Sequence, residues 1–212
     1  MKPCLYTTRA GWFVATSTTF TVAYWIANRL TSMRESLGAG VFAWEASIPF
    51  VSWTIVPYLS IGLFFAVSFF VDPDNMNLRR HVWRLLFVLG ISLICYALFP
   101  LRFTFDRPPT DGVFGLLFGA LGEFDLPFNR APSLHISVLV VLWGRLTPCL
   151  SHWQRAALQT WFCLIATSVL TTYQHHVIDM LSGLALGCIA IAITTPWAAG
   201  ASRRTSGRAS AA

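Results

Sequence analysis

The 212-residue chain is too apolar for an ordinary soluble domain, with 55% hydrophobic, 15% aromatic and 11% charged residues. Average soluble domains carry about 25% charged residues. The formal net charge of +6 comes from basic residues scattered over the loops, so it indicates membrane topology rather than a nucleic-acid partner. The five cysteines show no paired spacing, which argues against a disulfide framework and a zinc site.

Apolar runs of about 17 to 21 residues predict transmembrane helices. We expect an all-α integral membrane bundle of six transmembrane helices with a long outer loop between spans three and four. The segment 41–50 should lie at the interface before the second span. The predicted spans cover residues 11–27, 51–71, 84–100, 133–146, 156–172 and 177–197.

The connection over residues 101–131 is the longest in the chain and is rich in aromatic residues and glycines. Such a loop in a compact bundle is usually functional, and its aromatic content argues against disorder. Its glycine series, Gly112 to Gly122, is compatible with either a loop cap or a re-entrant helix.

Residues 1–200 are predicted to form one membrane domain, and 201–212 a flexible basic tail; a longer parent protein would continue into a second domain. Most basic residues fall on the side of the two termini, which predicts that this side is cytoplasmic. The long loop then lies on the outer side. We expect a bacterial inner membrane, with the site on the periplasmic side.

Three histidines and one acid are gathered at the outer ends of the later spans: His135, His175, His176 and Asp179. His175 and Asp179 are four residues apart and share a face if that turn is helical. A carboxylate there orients the imidazole and leaves its other nitrogen free as a nucleophile. His135 is placed to act as a separate acid or base.

Three arginines, Arg102, Arg107 and Arg130, lie in the connecting loop. Planar guanidinium groups on an outer loop suit a phosphate, which they bind with two parallel hydrogen bonds. Two histidines, an acid and several arginines together predict phosphoryl transfer through a phosphohistidine.

These residues carry a resemblance to the type-2 phosphatidic-acid phosphatase superfamily of membrane lipid phosphatases and phosphotransferases. The pattern of that family is Lys, six residues, Arg-Pro; then Pro-Ser-Gly-His; then Ser-Arg, five residues, His, three residues, Asp. Arg107-Pro108 is similar to the first element, Pro132-Ser133-Leu134-His135 to the second, and Ser168, His175 and Asp179 to the third.

The resemblance covers nearly the whole chain and implies a role for each matched residue. His175 would attack phosphorus, Asp179 would orient it, and His135 would protonate the leaving alcohol. Arg107 and the region of Pro132 and Ser133 would hold the phosphate oxygens. His176 lies beside the implied nucleophile. It is a candidate either for a contact to the substrate headgroup or for a residue that supports the catalytic side chains from behind.

The chain also departs from the family pattern. Pro100 stands where the family has Lys, Val169 stands where it has Arg, and Leu134 replaces Gly. Arg102 and Arg130 are candidate replacements for the two missing cations. Pro-Ser-Leu-His and the paired histidines resemble the branch that contains inositol phosphorylceramide synthase, which transfers a phospho-headgroup between lipids.

We therefore expect a lipid phosphatase, with a headgroup phosphotransferase as the alternative, because water and a lipid alcohol are both acceptors for a phosphohistidine. The expected partners are a phospholipid or polyprenyl phosphate substrate and the surrounding membrane lipids. No metal and no organic cofactor is expected. A metal site or a proton path of a small transporter, built from His135, His175 and Asp179, is a less favoured alternative.

Overall fold

The computed structural model describes residues 3–35, 38, 41–72 and 74–194, and in that part the chain contains helices and no strand. The predicted all-α class is confirmed. Three 3₁₀ turns, Ala43–Ser47, Ser52–Thr54 and Thr147–Cys149, lie between the helices. The α-helices are α1 (Pro3–Ser32), α2 (Ile55–Ser68), α3 (Asn75–Leu98), α4 (Gly112–Phe124), α5 (Leu134–Leu146), α6 (His152–Thr171) and α7 (Val177–Thr194).

Two of the described helices are long and apolar enough to cross a membrane by length and composition. They are α3, with 24 residues and a mean hydropathy of 1.8, and α7, with 18 residues and a mean hydropathy of 2.1. Shorter apolar stretches cover Ser52–Ser68, Gly112–Phe124 and Leu134–Cys149. The six-span topology therefore stays a prediction.

Side chains at the helix starts explain where several helices begin. Asp74 accepts a hydrogen bond from Met76 N at 2.8 Å, so α3 starts at Asn75, well before the predicted start at residue 84. Ser133 accepts from Ile136 N at the start of α5, and Gln154 accepts from Ser151 N at the start of α6. Each of these contacts satisfies a backbone donor that the helix itself leaves unpaired.

The first span and the long connection differ most from the prediction. Helix α1 extends over Pro3–Ser32 rather than 11–27, so it continues beyond the apolar run at both ends. The connection 101–131 contains α4, so its glycine series is helical rather than a loop cap. Residues 195–212, with the end of the sixth predicted span and the basic tail, lie outside the described residues.

Helices α5 and α7 make the most extensive helix pair, and two glycines of α7 allow their close approach. A Cβ atom on Gly183 would lie 2.5 Å from Ser133 O, and one on Gly187 would lie 2.6 Å from Val140 Cβ. Two small residues four positions apart in an apolar run predict close helix packing, and the structure confirms this at Gly183 and Gly187. This contact matters for function because Ser133 and Asp179 stand at the first turns of the two helices.

Replacing Gly183 by alanine should push α7 away from α5, because the backbone carbonyl of Ser133 cannot yield as a flexible side chain can. We expect a loss of about 1 to 3 kcal/mol in the free energy of unfolding, measured by thermal unfolding in detergent. Gly90→Ala in α3 is the matched control, since a Cβ at Gly90 meets nothing within 4 Å. Equal melting temperatures for the two variants would contradict the packing argument.

Candidate active site

The turn between α6 and α7 holds the predicted nucleophile. Tyr173 has a φ of 54°, a left-handed conformation that reverses the chain after α6. The backbone N–H groups of Gln174 and His175 then both donate to Val169 O, at 3.1 and 3.0 Å. Val169 is fully buried in α6, so the residue that replaces the family arginine anchors this turn through its carbonyl.

His175 precedes α7 rather than lying on it, so its pairing with Asp179 does not come from a shared helix face as the spacing suggested. The His175 Nδ1 atom lies 3.6 Å from Asp179 Oδ2, which is longer than a hydrogen bond. Asp179 Oδ2 instead accepts the backbone N–H of His176 at 2.9 Å. The carboxylate is fully buried, and its Oδ1 atom has no partner in the described part of the chain.

Asp179 also connects the two helices that carry the histidines. Its backbone carbonyl accepts the N–H of Ser133 at 3.0 Å, which brings the first turn of α5 against the first turn of α7. The Ser133 Oγ atom caps α5 by accepting from Ile136 N at 3.3 Å. Ser133 is fully buried, so its hydroxyl shapes the start of α5, and the preceding Pro132 carbonyl accepts from Tyr96 Oη at 2.8 Å.

His135 lies in the first turn of α5 and faces the same cavity as His175. Its imidazole stacks on the Tyr58 ring with a centroid separation of 4.2 Å. The Nε2 atom is buried and has no hydrogen-bond partner among the described residues. A buried ring nitrogen without a protein partner is available to a substrate oxygen.

Two of the three predicted arginines converge on the turn that precedes His175. Arg107 Nε donates to Thr172 O at 3.2 Å, and its Cζ lies 4.7 Å above the Phe118 ring. Arg130, almost fully buried, donates to Gln174 O and, at 3.1 Å, to Leu126 O. Neither forms an ion pair with a carboxylate in the described part of the chain.

Arg107 and Arg130 are two neighbouring cations without a carboxylate partner in the described part of the chain, and this arrangement suits an anionic ligand. Burial, and next the neighbouring guanidinium of Arg130, lower the pKa of Arg107 from its ordinary value. A bound phosphate would relieve this repulsion between two cations. Arg102, by contrast, is exposed and forms no hydrogen bond or ion pair with a described residue, so only Arg130 of the two candidate replacement cations stands at the turn.

His176 faces away from the cavity into a second polar cluster. Its ring is fully buried and stacks on Phe103 at 4.4 Å. The Nε2 atom accepts from the Thr104 backbone N–H at 3.4 Å, which leaves the proton on Nδ1 to be donated to Glu45 Oε2 at 3.0 Å. Both ring nitrogens are therefore occupied by protein groups, and neither is free for a headgroup.

Glu45 is a residue next to the site that the sequence motifs did not predict. Glu45 lies in a 3₁₀ turn, is almost fully buried and also accepts the Val177 N–H at 3.1 Å and the Phe42 N–H at 3.0 Å. The carboxylate thus fixes the first residues of α7 directly behind His175. The available signal was a single acid in an otherwise apolar segment, which is costly to bury unless it is paired.

The cavity that both catalytic candidates line has a volume of about 460 Å³, in the usual range of about 300–1,000 Å³ for small-molecule sites. Its walls are mainly apolar side chains of α1, α2, α4 and α5. In the described residues no group of three His, Cys, Asp or Glu side chains is placed to hold a metal ion.

Comparison with known proteins gives one match. A family model described as PAP2 superfamily matches residues 81–203, which is more than half of the chain. The match includes both histidines of the cavity, Asp179, Arg107 and Arg130. No curated protein and no solved structure matches the chain significantly.

Replacing Glu45 by glutamine should weaken the start of α7. The amide has a single acceptor oxygen, so it cannot accept the two bonds that Oε2 now accepts from His176 and Val177 and also the Phe42 N–H bond that Oε1 accepts. We expect a loss of about 2 kcal/mol in the free energy of unfolding, read from thermal unfolding in detergent. Glu123→Gln, at an exposed position of α4, is the control and should unfold like the wild type; no difference between the variants would show that Glu45 does not hold α7.

Proposed function

Because the chain belongs to the PAP2 superfamily, whose members are phosphatases or phosphotransferases acting on phosphate esters, we propose that it hydrolyses a lipid phosphate through a phosphohistidine at His175. One observation carries the proposal. The two arginines that converge on the turn before His175 offer a charged surface for a phosphate, and the cavity lined by His175 and His135 offers an apolar surface for a lipid.

The proposed reaction has two steps. In the first, the His175 imidazole attacks phosphorus, the bond to the lipid oxygen breaks, and His135 gives a proton to that oxygen. In the second, water attacks the phosphohistidine, His135 takes the proton from water, and inorganic phosphate leaves. Asp179, 3.6 Å from His175 Nδ1, stabilises the positive charge that develops on the ring, and Arg107 and Arg130 hold the phosphate oxygens.

A lipid substrate is supported by the walls of the cavity. Phe13, Phe20, Phe65, Leu121 and Val138 provide an apolar surface that a hydrocarbon chain would cover. The outer faces of several helices also expose large apolar side chains, including Leu63, Trp83, Ile94, Leu116 and Ile193. Such surfaces suit contact with membrane lipid.

We propose that the site lies at the outer surface of a membrane. Ten residues separate His135 from Arg145 along α5, which places them about 15 Å apart along the helix axis. Arg145 forms an ion pair with Asp72 at 3.0 Å, and Arg9 donates to Asp72 O at 2.6 Å. This arginine-rich end of the bundle would face the cytoplasm by the positive-inside rule, and His135 would lie closer to the outer surface by about half the thickness of the hydrocarbon core.

A phosphotransferase is the second candidate function. The apolar cavity also supports it, because a lipid alcohol could enter the cavity and replace water as the acceptor in the second step. The acceptor decides between them. Incubating the purified protein with labelled lipid phosphates, with and without lipid alcohols, separates the two outcomes: free phosphate marks the hydrolase, and a new phospholipid marks the transferase.

Replacing His175 by alanine should abolish turnover, because no other described side chain can form the covalent intermediate at that position. We expect phosphate release to fall by at least about 10⁴-fold. Brief incubation of the wild type with radiolabelled substrate should trap an acid-labile label on His175. His152→Ala, at an exposed position of α6, is the control; turnover retained by the His175 variant would remove the nucleophile assignment.

Replacing His135 by alanine should slow poor leaving groups more than good ones. General acid catalysis contributes about 10²- to 10⁴-fold when the leaving alcohol is a strong base. The phosphohistidine should form at nearly the wild-type rate from a phenolic phosphate ester, which has a low leaving-group pKa. Comparing kcat/KM, which reports this first step, for an alkyl and an aryl phosphate in both proteins tests the role, and an equal loss on the two esters would contradict it.

A further inference from the structure

A carboxylate lines the same apolar cavity as His135 and His175. Asp125 follows the last residue of α4 and accepts a hydrogen bond from Tyr24 Oη of α1 at 2.5 Å. That contact uses Oδ1, and no described residue donates to Oδ2. The described salt bridges do not include Asp125 either, so the second carboxylate oxygen is open to the cavity.

Helix α1 adds hydroxyl groups to the same wall. Ser17, Thr21 and Tyr24 all line the cavity, and their spacing of four and three residues places them along one face of the helix. The Ser17 Oγ atom is buried without a hydrogen-bond partner among the described residues. A purely hydrocarbon ligand would leave the Ser17 hydroxyl and the second carboxylate oxygen of Asp125 without a partner, which costs free energy.

Arg107 and Arg130, the proposed phosphate ligands, do not line this cavity, whereas Asp125 does. Asp125 is still close enough to Arg107 for its charge to offset part of the lowering that burial causes in the pKa of that guanidinium, so the group beside Asp125 would be the part of the alcohol next to the phosphate. A carboxylate accepts hydrogen bonds only, and it repels a phosphate dianion unless a donor lies between them. A hydroxyl group of the substrate can supply that donor.

We propose that Asp125 accepts a hydrogen bond from a free hydroxyl group of the substrate, next to the carbon that carries the phosphate. This inference rests on the proposed function and narrows its substrate class. It favours glycerol-type lipid phosphates with a free hydroxyl on the carbon next to the phosphate-bearing one. It disfavours polyprenyl phosphates and fully acylated phosphatidate, which lack that donor.

The test uses a matched pair of substrates: 1-oleoyl-glycerol 3-phosphate and its 2-deoxy analogue, which differ by one hydroxyl group. Both are presented in detergent micelles to the purified full-length protein. Loss of substrate and release of phosphate are measured to obtain kcat/KM. A hydrogen bond to a charged acceptor predicts a preference of roughly tenfold or more for the hydroxylated lipid.

Two variants test whether Asp125 causes the preference for the hydroxylated lipid. Asp125→Asn keeps the shape but removes the charge, and the preference should fall to less than about threefold because the hydrogen bond then has a neutral acceptor. Asp111→Asn, an exposed carboxylate at the other end of α4, is the matched control and should keep the wild-type preference. The ratio of the two substrates is measured within each preparation, so partial unfolding does not change it.

Equal kcat/KM values for the two lipids in the wild type would overturn the inference, as would an unchanged preference in Asp125→Asn. Turnover of a polyprenyl phosphate with none of the glycerol lipids would overturn it and leave the proposed function intact. Absence of turnover with every lipid phosphate, in protein that unfolds cooperatively, would remove the proposed function itself.

Discussion

The close approach of α5 to α7 is the constraint on which the rest of the structure depends. Gly183 lets the two backbones meet where any side chain would collide with Ser133 O. The Ser133 N–H can then bond to Asp179 O at 3.0 Å, and the first turns of the two helices lie side by side. His135 and His175 come from these two starts, so this backbone contact brings them to one cavity.

Around that contact, the arginine side chains and the apolar cavity lie in different parts of the candidate site. Arg107 and Arg130 bind carbonyls of the turn that carries His175, where each guanidinium keeps donors for an anion. The cavity that the two histidines line is mainly apolar and does not include the arginines. A phosphate ester of a lipid has the same division, with a charged head and an apolar body, and its scissile bond would lie between the two sides.

The N-terminal third of the chain completes a site whose catalytic candidates all come from the later helices. The family match begins at residue 81, yet Glu45 fixes the start of α7, Tyr58 stacks on His135, and Tyr24 holds Asp125. These residues lie against the cavity or behind His175. The candidate reacting groups and Asp125 thus come from the matched region, whereas side chains that position them come from outside it.

The sequence by itself determined the all-α class, the family, the bounds of α2, α5 and α6 to within about four residues and the small-residue packing of Gly183, because hydrophobic runs and short motifs are local signals. Only the tertiary structure decided that His176 pairs with Glu45, that Arg130 rather than Arg102 reaches the turn before His175, and that Asp125 enters the cavity. Each of these facts joins segments far apart in the chain. Such contacts depend on how whole helices pack and on which way a side chain leaves its backbone, and neither is encoded in local spacing.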